Sequence, residues 1–122
     1  MNLLKEIARH LEFCGFGGMD ETVFWGRMPD VPDSCIGVLS SNSAFPGAAE
    51  GARLQIVNRA ETPEEAYETA FALGCELAVF SGFLAGDGPM AKITVLTAAQ
   101  GLGGDGKKRE LYAAEIRVLY GE

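Results

Sequence analysis

The stretch that most limits what this chain can fold into is RLQIVNRAETPEEAYETAFALGCEL, residues 53 to 77. In RLQIVNR, Leu54 and Ile56 alternate with Arg53, Gln55 and Arg59, the period of a strand with one face on a core. Val57 on the polar side interrupts that alternation. Thr62 then opens a helix: its hydroxyl can accept from the N–H of Glu65, the Glu65 carboxylate can reach back to the N–H of Thr62, and Pro63 suits the first helical position. Glu64 and Glu65 are also favoured there by the helix dipole. Ala66, Tyr67, Ala70, Phe71, Gly74, Leu77 and Ala78 recur at three- and four-residue steps, which predicts an apolar stripe packed on a sheet and a helix ending near Phe80.

The flanking sequence extends this frame. NLLKEIARHLEFC, residues 2 to 14, places Leu3, Leu4, Ile7, Ala8 and Leu11 on one helical stripe, with Asn2 as the cap and Gly15 as the stop. TVFWGRM (22 to 28) and SCIGVLSS (34 to 41) read as strands, separated by PDVPD (29 to 33), which cannot continue a ladder because proline lacks the N–H. NSAFPGAAEG (42 to 51) reads as a loop, and so does the region around SGFLAGDGPM (81 to 90). KITVLTAA (92 to 99) and RELYAAEIRVLYG (109 to 121) predict two final strands joined by the glycine-rich GLGGDGKK. In the last, Tyr112, Ala114, Ile116, Val118 and Tyr120 share one face. The expected architecture is α+β: one mixed, mostly antiparallel sheet of about five strands against two helices, in the order α-β-β-β-α-β-β, as a single domain over residues 1–122.

A chain of 122 residues can bury a core of its own. The formal charge of -7, from 10 basic and 17 acidic residues, argues against a partner held by neutralising phosphates. There is no secretory leader pattern and no apolar run long enough to span a membrane, so no membrane partner is expected and the product is expected in the cytoplasm, or outside it inside an assembly. Cys14, Cys35 and Cys75 are widely spaced and share the chain with a single histidine, His10, which fits buried reduced thiols and neither a disulfide framework nor a zinc ligand set.

Candidate chemistry is sparse. GLGGDG could converge backbone N–H groups on an anion, but it lacks the GK[ST] ending and precedes a strand, so a hairpin connection is the stronger reading. Asp20, Glu21, Asp30, Asp33, Asp87 and Asp105 sit in separate turns and match no EF-hand loop; turn aspartates bonding their own backbone are expected. His10 and Cys14 lie one helical turn apart, but no motif supplies an orienting acid or oxyanion donors, and the expectation is an exposed histidine beside a terminal cysteine. No catalytic residue, cofactor or metal is assigned. Phe45, Pro46, Phe83, Leu84 and Met90 are apolar residues in segments expected at the surface, and they are the candidate anchors for subunit contacts.

NLLKEIARHL, MPDVPDSCIGVL, RLQIVNRAETPEEAYETA and LTAAQGLGGDGKKRELYAAEIRV, in this order, resemble the phage tail terminator family, also called phage minor capsid proteins in some lineages. The strand and helix carrying Leu54, Gln55, Arg59, Thr62, Glu65, Ala66 and Tyr67 are the closest part; the family often has a proline soon after the glutamine that is Gln100 here, where Gly101 and Leu102 follow. The resemblance implies a non-enzymatic virion protein, assembled in the host cytoplasm, that forms a ring, expected to be hexameric, at the head-proximal end of the tail. That ring would stop tube growth, contact the tail tube protein and the head–tail connector, and pass DNA through its lumen without reading it. Another neck or head-completion protein, a small non-viral binding module of similar fold, or a small cysteine enzyme are the competing classes.

Overall fold

In the computed structural model, residues 2–41 and 52–121 are described. Helix α1 (Leu3–Phe13) starts where Asn2 Oδ1 accepts the Lys5 N–H at 3.2 Å, buries Ile7, Ala8 and Leu11, and stops at Gly15, whose φ of +93° is open to glycine. Strand β1 (Val23–Trp25) is shorter than expected because Gly26, at φ +78°, turns the chain away. Strand β2 (Cys35–Ser40) and strand β3 (Ala52–Ala60) follow, the latter leading into helix α2 (Pro63–Leu77).

Only half of the expected capping box forms. Thr62 Oγ1 accepts the Glu65 N–H at 3.1 Å, but the Glu65 carboxylate takes the Ser34 hydroxyl at 3.2 Å and so ties α2 to the approach to β2. The helix ends at Leu77, short of Phe80. The buried stripe is Ala66, Ala70, Leu73 and Leu77, whereas Tyr67 and Phe71, expected on it, face outward.

The segment expected as a loop over 81 to 90 contains strand β4 (Ser81–Phe83) and a single 3-10 turn (Leu84–Gly86). Strand β5 (Met90–Gly104) runs through the glycines that were expected to form a connection, and strand β6 (Glu110–Gly121) returns. The class is α+β as expected, with six strands in the order β1-β2-β3-β6-β5-β4; β1 and β2 run parallel and every other neighbouring pair is antiparallel.

Register sorts the faces. Leu54 and Ile56 of β3 stand opposite Ile116 and Ala114 of β6, and opposite Ser40 and Val38 of β2. This face meets Ile7 and Leu11 of α1 and Leu73 and Leu77 of α2 in one core. On the other face, Cys35, Val57 and Arg59 are also buried. Segment 26–33 lies there: Met28 packs so closely on Gly37 that a Cβ added to that glycine would sit 3.2 Å from the Met28 Cβ.

Candidate functional site

Arg59, taken from the sequence as a polar-face residue, is a buried clamp. Its Nε donates to the Asp33 carbonyl at 3.0 Å, and its Nη2 reaches the carbonyls of Pro29, Pro32 and Asp30 at 2.7, 2.7 and 3.1 Å. The proline-rich segment cannot pair as a strand, so its carbonyls need donors, and one planar guanidinium supplies them. Arg109, read only as the start of the last strand, grips the same segment from the other side: it donates to the Asp30 carbonyl at 2.6 Å and pairs with the carboxylates of Asp30, Asp33 and Asp105 at 2.8, 3.2 and 2.6 Å. Lys107 adds a 2.6 Å pair with Asp30. Together Lys107 and Arg109 draw the Asp30 carboxyl down to about 2, and Arg109 also holds Asp105 below the usual carboxylate range. Asp105 bonds its own turn, accepting from the Lys107 N–H, but Asp30 and Asp33 serve the distant Arg109. The glycine-rich segment is thus a hairpin whose tip is fastened to segment 29–33.

His10 corrects a second expectation: it is 2% exposed. Its Nδ1 accepts the Ala85 N–H at 2.8 Å, and its Nε2 lies 3.5 Å from Cys14 Sγ, which in turn donates to Glu76 Oε1 at 3.2 Å. His10, Cys14 and Glu76 therefore bring three potential metal ligands within 4.8 Å of one another. The hydrogen bonds fix their protons. With Nδ1 accepting, a neutral imidazole carries its proton on Nε2 and points it at the sulfur, and the thiol points its own at the carboxylate. Nε2 then has no lone pair for a metal or for the thiol proton, the reverse of the arrangement that orients a metal-binding histidine. Burial and the Glu76 carboxylate push the Cys14 thiol up to about 11, and burial lowers the pKa of His10 below its ordinary value. This is a hydrogen-bonded strut between α1, α2 and the 3-10 turn, and it is neither an activated nucleophile nor a ready cation cage. Of the thiols, Cys35 is buried as expected, Cys14 is partly covered and Cys75 is exposed.

The expected surface anchors divide. Phe45 and Pro46 lie outside the described residues. Phe83 and Met90 are cross-strand partners at the start of the β4–β5 pair, 56% and 55% exposed. Leu84, expected beside them on the surface, is fully buried: the 3-10 turn, with Gly88 donating to the Leu84 carbonyl at 2.7 Å, folds it into the core. Among the family-like positions, Leu54 and Ala66 are core residues, Gln55 stands opposite Glu115, and the Ala66 carbonyl accepts from buried Asn58 Nδ2 at 3.0 Å. Tyr67 remains outside, 6.2 Å from the Tyr112 ring and 6.4 Å from Phe71.

Those aromatics flank a feature with no sequence signal, an apolar groove of about 460 Å³ between α2 and the β5–β6 hairpin. Tyr67, Phe71 and Gly74 form its helical wall, and Ala98, Ala99 and Ala114 line the sheet side. Small residues on both sides leave room for larger side chains from outside. Among the described residues no helix is long and apolar enough to cross a membrane. Comparison of the chain with models of known protein families finds no match. Comparison with curated protein sequences finds none either.

Proposed function

We propose that this chain is a structural subunit of a phage tail, of the terminator kind, that closes the head-proximal end of the tail tube as a ring and meets the head connector. Beside the sequence resemblance, one observation carries the reading. Apart from the exposed Cys75, the reactive-looking side chains are tied up inside the domain, while aromatic and apolar surface is left exposed beside a sheet edge. His10, Cys14, Arg59 and Arg109 all have internal partners, whereas Tyr67 and Phe71 are 57% and 64% exposed. A protein whose polar groups hold one shape and whose apolar groups face outward is built to bind another surface. The expected hexamer, the tube and connector contacts, and the passage of DNA belong to this proposal. The acidic charge favours a lumen wall that does not hold phosphates.

Electron microscopy of the purified protein, alone and added to its tail-tube protein, is the test. Rings, or tubes capped at a fixed length, are expected. Single particles without rings, together with tubes that overgrow to the same lengths with and without the protein, would defeat the proposal. A protein that binds the neck but leaves tube length unchanged would point to a head-completion role instead.

A further inference from the structure

We infer that the apolar groove between α2 and the β5–β6 hairpin seats an amphipathic helix of another protein, one whose apolar side chains are flanked by lysine or arginine. The inference does not depend on the tail reading, since a ring can form with this groove empty. At about 460 Å³ the groove lies within the roughly 300–1,000 Å³ of clefts that hold ligands. Tyr67 of the helix and Tyr112 of the sheet meet edge to face across it, 6.2 Å apart. Gly74, in the last turn of α2, points to an occupant from outside. Glycine is the poorest helix former after proline and is usually placed where a neighbour comes too close for a Cβ. Here an added Cβ would meet nothing within 4 Å, so packing inside the domain does not call for this glycine, and the room it leaves opens into the groove.

Charge selects the partner. Glu64 and Glu68 are exposed one turn apart on α2, and at three-residue steps they neighbour Tyr67 and Phe71 on the helical wall of the groove. Among the described residues no basic side chain pairs with either. Helix α2 contains no lysine or arginine, the groove lining contains no charged residue, and Lys107 and Arg109 at the hairpin tip are paired with Asp30. The groove is thus apolar with an acidic rim on one side, in a chain that carries -7 overall. A second copy or a nucleic acid would bring more negative charge to that rim, whereas a basic segment is attracted to it. The exposed faces of Tyr67 and Phe71 favour cations as well.

Size and shape narrow it to a short helix. Tyr67 and Phe71 leave roughly 250 Å² exposed between them, given about 200 Å² for a ring, far below the roughly 800 Å² per partner by which a folded subunit docks. The bulges of β5, between Val95 and Thr97, Thr97 and Gln100, and Gly101 and Gly103, break the regular edge that an added strand needs, so the contact is made by side chains and not by a ladder. A helix lines up apolar residues at i, i+3 or i+4, and i+7 for such a groove. Bases four residues apart on it repeat the one-turn spacing of Glu64 and Glu68.

The test measures binding of two labelled synthetic peptides by fluorescence anisotropy. Both are helix formers of about 18 residues with leucines at i, i+4 and i+7, one flanked by lysines and the other by glutamates. The lysine peptide should bind at least about tenfold more tightly, with the difference shrinking as salt is raised. Gly74→Leu fills the groove without altering charge and should weaken that binding at least about tenfold, the loss expected at an interface anchor, while leaving the domain at least as resistant to urea. Glu64→Lys with Glu68→Lys should reverse the preference between the peptides. Circular dichroism checks folding; should Gly74→Leu unfold, the charge-reversed variant decides. Equal binding of the two peptides, binding that Gly74→Leu leaves unchanged, or no binding at about 1 mM overturns the inference. So does self-association that Gly74→Leu abolishes, which would put a second copy in the groove. Tube capping is read separately by microscopy, so failure of this seat and failure of the ring proposal are distinguishable.

Discussion

Replacing Arg59 with methionine tests the idea that a single guanidinium holds segment 29–33 on the sheet. The side chain is buried, and methionine fills much the same volume without any donor. The donors at Nη2 reach three carbonyls with two hydrogens, so with Nε the clamp amounts to about three full charge-assisted bonds, each contributing about 1.5–3 kcal/mol. The loss is offset because Pro29, Asp30 and Pro32 are not buried and their carbonyls can regain water, and because the buried charge is removed as well. We expect a net cost of about 2–4 kcal/mol, a large part of the roughly 5–15 kcal/mol that holds a domain together. At this chain length, that corresponds to a fall in Tm of about 8–16 °C. Urea unfolding followed by circular dichroism reads the cost as a lower midpoint at unchanged slope. Arg59→Lys, which keeps the charge but loses the fork, should recover less than half of it. A change below about 0.5 kcal/mol for the methionine variant would refute the clamp, since surface substitutions cost no more than that.

Stability should also fall as pH drops from about 6.5 towards 4.5. His10 is neutral when folded with its pKa lowered, so below its unfolded pKa the unfolded chain binds a proton that the folded chain refuses, and stability present above that pKa is lost as pH falls. Denaturant midpoints of wild type and His10→Gln across this range check it, and an identical slope for both would exclude His10 as the cause. On α2, Leu73→Ala should cost about 2–5 kcal/mol and Phe71→Ala within about 0.5 kcal/mol, because only Leu73 lies in the core. Equal costs in the same unfolding assay would mean that the helix presents a different face.

Local signals in the sequence read well. Asn2, Gly15 and Thr62 act on residues three or four positions away, and the helix boundaries they mark are those observed at both starts and at the end of α1. The α+β class follows from the strand-to-helix unit at 53 to 77. What was hidden depends on distant partners. Strand β4 is three residues long and exists through Met90–Lys92. The phase of α2 was ambiguous because apolar residues occupy both the Tyr67–Phe71 and the Leu73–Leu77 sides, and the sheet selects the second. Arg59 and Arg109 look like ordinary strand residues until segment 29–33 folds over to meet them. His10 was read as exposed because its partner, the Ala85 N–H, is far along the chain and carries no side-chain signal. The groove needs α2 and the β5–β6 hairpin together, so no single segment announces it.

The central claim, that this domain works by assembling into a ring on a tube end, is tested most directly by counting tube lengths. Tail-tube protein polymerised with increasing amounts of the purified chain should give progressively shorter tubes, each bearing one ring at one end. Tube lengths that do not depend on the added protein, with bare ends throughout, would contradict it.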